Sequence, residues 1–339
     1  MNVLSMMGEA AWRMASDVAK SNDGSFIGVQ TAKGAFSCGE RVDGYVVLQN
    51  NSPRQVDRVL VRITCKERTH WDEEISRTVS EGEGDNRKTY TVYEHHERRG
   101  KVTHEKVILV ASAIPHLLAP GNYSYPFAYT LRPDLPGCAQ FTREREANDP
   151  AWRSAGRRIR THGEVTYKIK AYVDFNGLFS RDLFSKQALT VNSAFDWQHM
   201  KPAFGEKSGQ VLLLCCIPRG NVRLQAAFDR AAYAAGETAQ IKASIKNDAE
   251  QNISAMKVKL MRFITLRSNQ GQQHSIVDTV CQATYPGVER MSEATRDLPL
   301  PLFSPGGAIM PGTKARLVDI SYRFDVECGL TCAPDIEVS

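Results

Sequence analysis

The sequence predicts an all-β chain of two tandem antiparallel β-sandwich domains joined by a hinge. Three observations predict it: strand-type alternation along most of the chain, turn residues between the alternating runs, and an internal repeat at a constant offset of 197 residues. With 339 residues the chain is long for one core, since single cores stop growing near ~250–300 residues, and comfortable for two.

Val42, Gly44, Val46 and Leu48 alternate with Arg41, Asp43, Tyr45 and Val47, and Val59, Val61 and Ile63 with Leu60, Arg62 and Thr64. Val165, Tyr167, Ile169, Ala171 and Val173 alternate with Thr166, Lys168, Lys170 and Tyr172. Period-2 runs of this kind are half-buried antiparallel strands, with one face on a core and one in water. Asn50-Asn51-Ser52-Pro53, Ala119-Pro120-Gly121-Asn122, Pro133 to Gly137 and Ser304-Pro305-Gly306-Gly307 punctuate them as turns.

The repeat sets the architecture. Phe36-x-x-Gly39-Glu40 falls on Tyr233-x-x-Gly236-Glu237, Leu48 on Ile245 and Asn50 on Asn247. Val59, Val61 and Ile63 then fall on Met256, Val258 and Leu260, with no gap needed. In each copy an aromatic enters a core, Gly-Glu bends the chain into a strand, and an asparagine ends that strand by turning the backbone through its side chain. A second echo pairs Val165-x-Tyr167-x-Ile169 with Ile320-x-Tyr322-x-Phe324. Two copies mean two domains of sandwich size, over 25–191 and 211–339, with a polar connector over 192–210 as the hinge. The first 24 residues are an extension: Leu4, Met7, Ala11, Met14 and Val18 recur at helical spacing and predict a short helix.

Composition narrows the function classes. A hydrophobic fraction of 42% and a charged fraction of 24% belong to an ordinary globular chain. A net charge of +5 is too mild to argue for nucleic acid and favours anionic surfaces only weakly. The longest apolar run, Val211 to Ile217, reads as a buried strand and falls far short of the ~18 residues of a membrane span. Glu9, Arg13 and Asp17 interrupt the N-terminus before a secretory apolar region forms. The eight cysteines make no closely spaced framework, so reduced thiols and a cytoplasmic location are expected.

The motifs resemble those of the arrestin family, and most closely the α-arrestins, the arrestin domain-containing proteins. Phe36-x-x-Gly-Glu-x-Val42-x-Gly44-x-Val46 is similar to the opening of the arrestin N-terminal domain, and His70-Trp71 stands where the family commonly has a tryptophan. Leu118-Ala-Pro-Gly-Asn-Tyr-Ser-Tyr-Pro-Phe127-x-Tyr129-x-Leu131, then Asp134-Leu-Pro136, is similar to a family signature, and Val165 to Asp174 to its closing strand. Cys215-Cys216, Asp229-Arg230-x-x-Tyr233-x-x-Gly236-Glu237 and Leu298-Pro-Leu-Pro301 resemble the C-terminal domain. The resemblance implies immunoglobulin-like, arrestin-type sandwiches with adaptor work on transmembrane cargo tails or trafficking proteins in endocytic sorting, peripheral at endosomes or the plasma membrane. A structural coat subunit, like the arrestin-fold subunit of retromer, is the second reading. No Pro-Pro-x-Tyr occurs in the sequence, so ubiquitin ligase recruitment through that segment is not expected.

The candidate chemistry is sparse. Glu94-His95-His96-Glu97 with His104 suggests a metal site, but adjacent histidines on a strand point to opposite faces, so a solvated hairpin over 68–106, irregular with mobile ends, and no metal are expected. Cys328-x-x-x-Cys332 reads as a turn between strands, and Cys215 and Cys216 as strand residues at the domain junction. No nucleophile, dinucleotide or phosphate-loop pattern stands in the chain, so no catalytic residue and no cofactor is expected. The concentrated basic loop carries Arg153, Arg157, Arg158 and Arg160, whose guanidinium forks match phosphate and make them the candidate partner- or phosphate-binding residues. Trp152 is the only aromatic neighbour, which leaves nothing to stack bases and excludes nucleic acid as the partner.

Overall fold

The architecture is that of a computed structural model describing residues 17–18, 23–82, 87–112, 116–145, 159–175, 183–194, 201–213, 217–304, 309–330 and 335–338. Every regular element among them is a strand. None is a helix long and apolar enough to cross a membrane.

Unit 1 holds β1 (Asp17–Val18), β2 (Phe26–Thr31), β3 (Ala35–Ser37), β4 (Arg41–Asn50), β5 (Arg54–Glu81), β6 (Lys88–Ser112), β7 (His116–Leu118), β8 (Gly121–Thr130), β9 (Ala139–Arg145), β10 (Ile159–Phe175) and β11 (Phe184–Asn192). The smaller sheet runs β2-β4-β8. The larger runs β1-β11-β10-β5-β6, with β3, β7 and β9 attached. Alternation decides which residues meet between them. Val42, Val46 and Leu48 of the smaller sheet and Val59, Val61, Ile63, Val165, Tyr167, Ile169, Ala171 and Val173 of the larger are all buried. Each of the valine, leucine and isoleucine side chains among them stabilises the fold by ~1.5–3 kcal/mol through burial.

Unit 2 is built from β12 (Phe204–Leu213), β13 (Ile217–Phe228), β14 (Thr238–Ala239), β15 (Ile241–Asn247), β16 (Ile253–Arg267), β17 (Gln273–Val288), β18 (Ser292–Asp297), β19 (Leu300–Pro301), β21 (Val318–Leu330) and β22 (Ile336–Val338), while β20 (Thr313–Lys314) falls in unit 1. One sheet runs β12-β13-β15-β18 and another β17-β16-β21 with β22 on β21. Val222, Leu224, Ile241 and Ile245 share one core cluster with Met256, Val258, Leu260 and Val326. The tips 266–274 and 313–318 group with unit 1, a division that no composition change announces.

The chain departs from the sequence reading in four places. Asp17–Val18 pair with Lys186 and Ser185 of β11 as strand, where the spacing placed a helix; the rest of 1–22 lies outside the described residues. The polar connector is shorter than 192–210, because Phe204 to Gln210 already pair with β13. Its alternation of Phe, Glu, Ser and Gln is an edge strand's, polar because one side faces water. The run from Val211 to Ile217 is split between β12 and β13: Val211 is buried while Ile217 is 45% exposed. Finally, the described part of the charged stretch 68–106 is a regular ladder rather than an irregular one. β5 and β6 pair from Val59↔Ser112 to Glu81↔Lys88, with register shifts only near Val59 and Cys65. Diagonal cross-strand ion pairs such as Arg98–Glu73 and Arg77–Glu94, each at 3.0 Å, link charged side chains across the ladder.

Candidate docking face

Because Val61, Ile63 and Cys65 point into the sandwich, Arg62, Thr64, Lys66 and Arg68 of β5 point out of it. The same parity puts Thr166, Lys168 and Lys170 of β10 outside. Register then sets them side by side. Arg68 lies between Lys101 of β6 and Glu164 of β10, and Lys66 between Thr103 and Thr166. Thr64 lies between Lys106 and Lys168. Arg62 lies between Ile108 and Lys170, and Lys170 in turn beside Lys186 of β11. Four adjoining rows thus carry eight cations and, among the described residues, one carboxylate.

The electrostatics follow from that placement. The Lys66 ammonium is held below its ordinary pKa, first by partial burial and then by repulsion from Lys101, Arg68, Lys168 and Lys106. Glu164 pairs with Arg68 at 3.3 Å. Aromatic rings hold the far end of the array: Arg62 lies 5.3 Å and Lys170 5.1 Å from the centre of the Tyr172 ring. Lys170 and Lys186 lie 4.7 and 4.8 Å from that of Phe184. A cation over a ring gains about 0.5–1 kcal/mol at an exposed site, which offsets part of the crowding. Arg62 Nε is buried without a hydrogen-bond partner. The result is a fixed positive field on one broad sheet face.

Of the arginines expected to bind phosphate, Arg153, Arg157 and Arg158 lie outside the described residues. Arg160 is exposed on β10, on this same face. Its backbone N–H donates to Asp72 Oδ2 at 3.3 Å and its Nε stands 3.7 Å from Glu144. The array itself was partly legible, since Arg62-x-x-x-Lys66-x-Arg68 and Lys168-x-Lys170 stand at outward positions of alternating runs. Only the cross-strand register adds them together.

The histidines form no metal centre among the described residues. His95 Nε2 lies 3.2 Å from Asp72, His70 Nε2 2.7 Å from Glu97 and His104 Nε2 2.7 Å from Glu67. Glu67 is fully buried, and its Oε1 accepts the backbone N–H groups of Leu317 and Val318, each at 2.5 Å. It tethers 313–318 within unit 1, so His104 completes a structural network. Cys328 is buried on β21, while Cys215, Cys216 and Cys332 lie outside the described residues.

Two antiparallel sandwiches with a cationic sheet face, and with His95 and His104 paired to carboxylates, make an all-β scaffold. The profile described as "Arrestin (or S-antigen), N-terminal domain" matches residues 27–198, and that described as "Arrestin (or S-antigen), C-terminal domain" matches 218–339. The chain belongs to the arrestin family, whose members are non-enzymatic. It is 25% identical over 316 residues to arrestin domain-containing protein A of Dictyostelium discoideum, covering 92% of this chain and 50% of that protein. To arrestin domain-containing protein 17 of Caenorhabditis elegans it is 20% identical over 307 residues, covering 86% of this chain and 64% of that one. The chain therefore spans between half and two thirds of the length of these relatives.

Proposed function

We propose that this chain is a cytoplasmic adaptor that binds membrane-protein cargo or trafficking partners in endocytic sorting, and that the cationic sheet face of unit 1 brings it to an anionic partner. The observation that supports this is the array itself: cations contributed by β5, β6, β10 and β11 accumulate on one face of an arrestin-family sandwich. Mutual repulsion makes such a face costly in the free chain, and an anionic partner removes that cost.

The test is capture of the tagged full chain from gently cross-linked cells, side by side with a Lys66→Glu, Lys168→Glu, Lys170→Glu variant. Transmembrane transporters or receptors recovered with the parent and depleted with the variant are the expected result. A fixed, stoichiometric set of coat proteins, equal in both, would replace the adaptor by a structural coat subunit.

A further inference from the structure

We propose that the partner of the cationic face of unit 1 is an anionic lipid bilayer, on which the outer surface of the β11-β10-β5-β6 sheet docks directly. The inference deepens the adaptor reading by naming what this face meets.

The first ground is shape. Strands lie about 4.8 Å apart and rise about 3.3 Å per residue, so the rows from Arg68 to Arg62 spread the cations over roughly 15 by 20 Å. An extended acidic peptide presents its charges along a line and would meet one row or one strand of the array. A bilayer presents anions in a plane, and only a plane engages Lys101 and Lys186, on opposite sides of the array, at once.

The second ground is the backbone. β5 and β10 are paired on both sides through these rows: β5 with β6 and β10, and β10 with β5 and β11 beside Lys168 and Lys170. Their N–H and C=O groups are consumed by the ladder. The centre of the face offers side-chain charge and no free edge onto which a peptide strand could add.

The third ground is the border. Ile108 and Val110 stand at the Arg62 and Leu60 positions of the neighbouring strand, 47% and 54% exposed. Tyr172 and Phe184 continue that end of the face across β10 and β11. A positive field bordered by exposed aliphatic and half-buried aromatic groups suits the headgroup region, where long cationic side chains reach phosphates while the aliphatic groups enter the acyl boundary. The crowding recorded at Lys66 adds to this, since bound anions relieve it.

The experiment is sedimentation of the purified full chain with vesicles. Binding is expected to phosphatidylcholine vesicles containing about one-fifth phosphatidylserine, none to phosphatidylcholine alone, with steep weakening as salt rises. Lys66→Glu, Lys168→Glu, Lys170→Glu should weaken anionic-vesicle binding by at least about tenfold. If that variant fails to melt like the parent, Lys101→Gln, Lys106→Gln on β6 replaces it, with a loss of about tenfold expected. Ile108→Ser, Val110→Ser should weaken binding while leaving its salt dependence unchanged. A charge variant that folds and still binds anionic vesicles like the parent overturns the proposal. So does a parent that ignores anionic vesicles while binding a soluble, multiply phosphorylated peptide through the same lysines, a result that would leave the adaptor reading standing. Intact vesicle binding with no membrane-protein cargo captured from cells would do the reverse.

Discussion

Gly39 and Gly236 adopt the same left-handed backbone, with φ of +85° and +88°, at equivalent positions of the two repeats. The surroundings repeat as well. Glu40 Oε2 accepts the Ser37 N–H at 2.9 Å, and Glu237 Oε2 accepts the Ala234 N–H at 2.8 Å. Lys33 pairs with Glu40 and lies 5.2 Å from the Phe36 ring centre; Arg230 pairs with Glu237 and lies 5.0 Å from that of Tyr233. Cation, ring, glycine and glutamate thus form one turn, built twice. Lys33, and then the Ser37 N–H, hold the Glu40 carboxyl below its ordinary range.

The shared backbone isolates a strain effect at Gly236. A Cβ there meets nothing within 4 Å, so a side chain fits and only the left-handed conformation opposes it. Gly236→Val should destabilise unit 2 by at least about 1–2 kcal/mol. Gly236→Asn, a residue that tolerates this region, should lose less. Denaturant unfolding checks both; an unchanged midpoint for the valine variant would mean that the turn relaxes out of this conformation at no cost.

The repeated turn also shows where sequence reasoning reaches its limit. Phe36, Gly39, Glu40 and Asn50 aligned with their partners from residue type alone, because each residue has a local task. Asn50 Nδ2 donates to the carbonyls of Leu118 and Ala119, and Asn247 Nδ2 to those of Gln251 and Glu289, so even the shared asparagine closes different loops. Thr69 Oγ1 donating to the Arg267 carbonyl at 2.6 Å, and Glu67 meeting Leu317, are pairings between distant segments that no local pattern encodes. The cationic face lies between these cases. Each lysine was legible as an outward residue, yet Lys66 and Lys106 become neighbours only through the register and its shift near Cys65.

Glu67 carries the next prediction. Glu67→Ala removes the acceptor of two buried backbone N–H groups and the partner of His104, and should cost about 3 kcal/mol or more. Glu67→Gln keeps a carbonyl oxygen for Leu317 and Val318 and should cost less, about 1–2 kcal/mol. Amide hydrogen exchange separates this from a general loss of stability: Leu317 and Val318 should lose protection in the alanine variant before the β5–β10 ladder does. Uniform loss across unit 1 would mean that the carboxylate only fills space.

Tyr167 is buried, and its hydroxyl donates to the Pro136 carbonyl at 2.6 Å; Tyr322 makes the same kind of bond to Met310, also at 2.6 Å. Tyr167→Phe leaves the Pro136 carbonyl without this donor and should destabilise unit 1 by about 1–2 kcal/mol. Tyr322→Phe should cost less, because Tyr322 is only half-buried and water can reach its partner. Thermal melts of the two single variants give the order directly, and equal losses would show that burial does not set the worth of these bonds.

The buried thiols give a pH dependence. Burial pushes the Cys65 and Cys328 thiols up to about 12 from an ordinary value of 9.0. In the folded chain they stay neutral through the range where the unfolded chain ionises them. Between about pH 9 and 12 the unfolded state therefore binds fewer protons, and stability falls as pH rises through that window. Below pH 9 the stabilisation is fully present. Native protein at pH 8 should leave both cysteines unmodified by iodoacetamide, while denatured protein is alkylated at both, as peptide mass analysis would show. Cys65→Ala and Cys328→Ala should each lower stability at pH 8 yet flatten its decline above pH 9. A decline as steep in the double variant as in the parent would place its origin in other groups, Tyr167 first among them, whose hydroxyl is raised by burial beside Cys65.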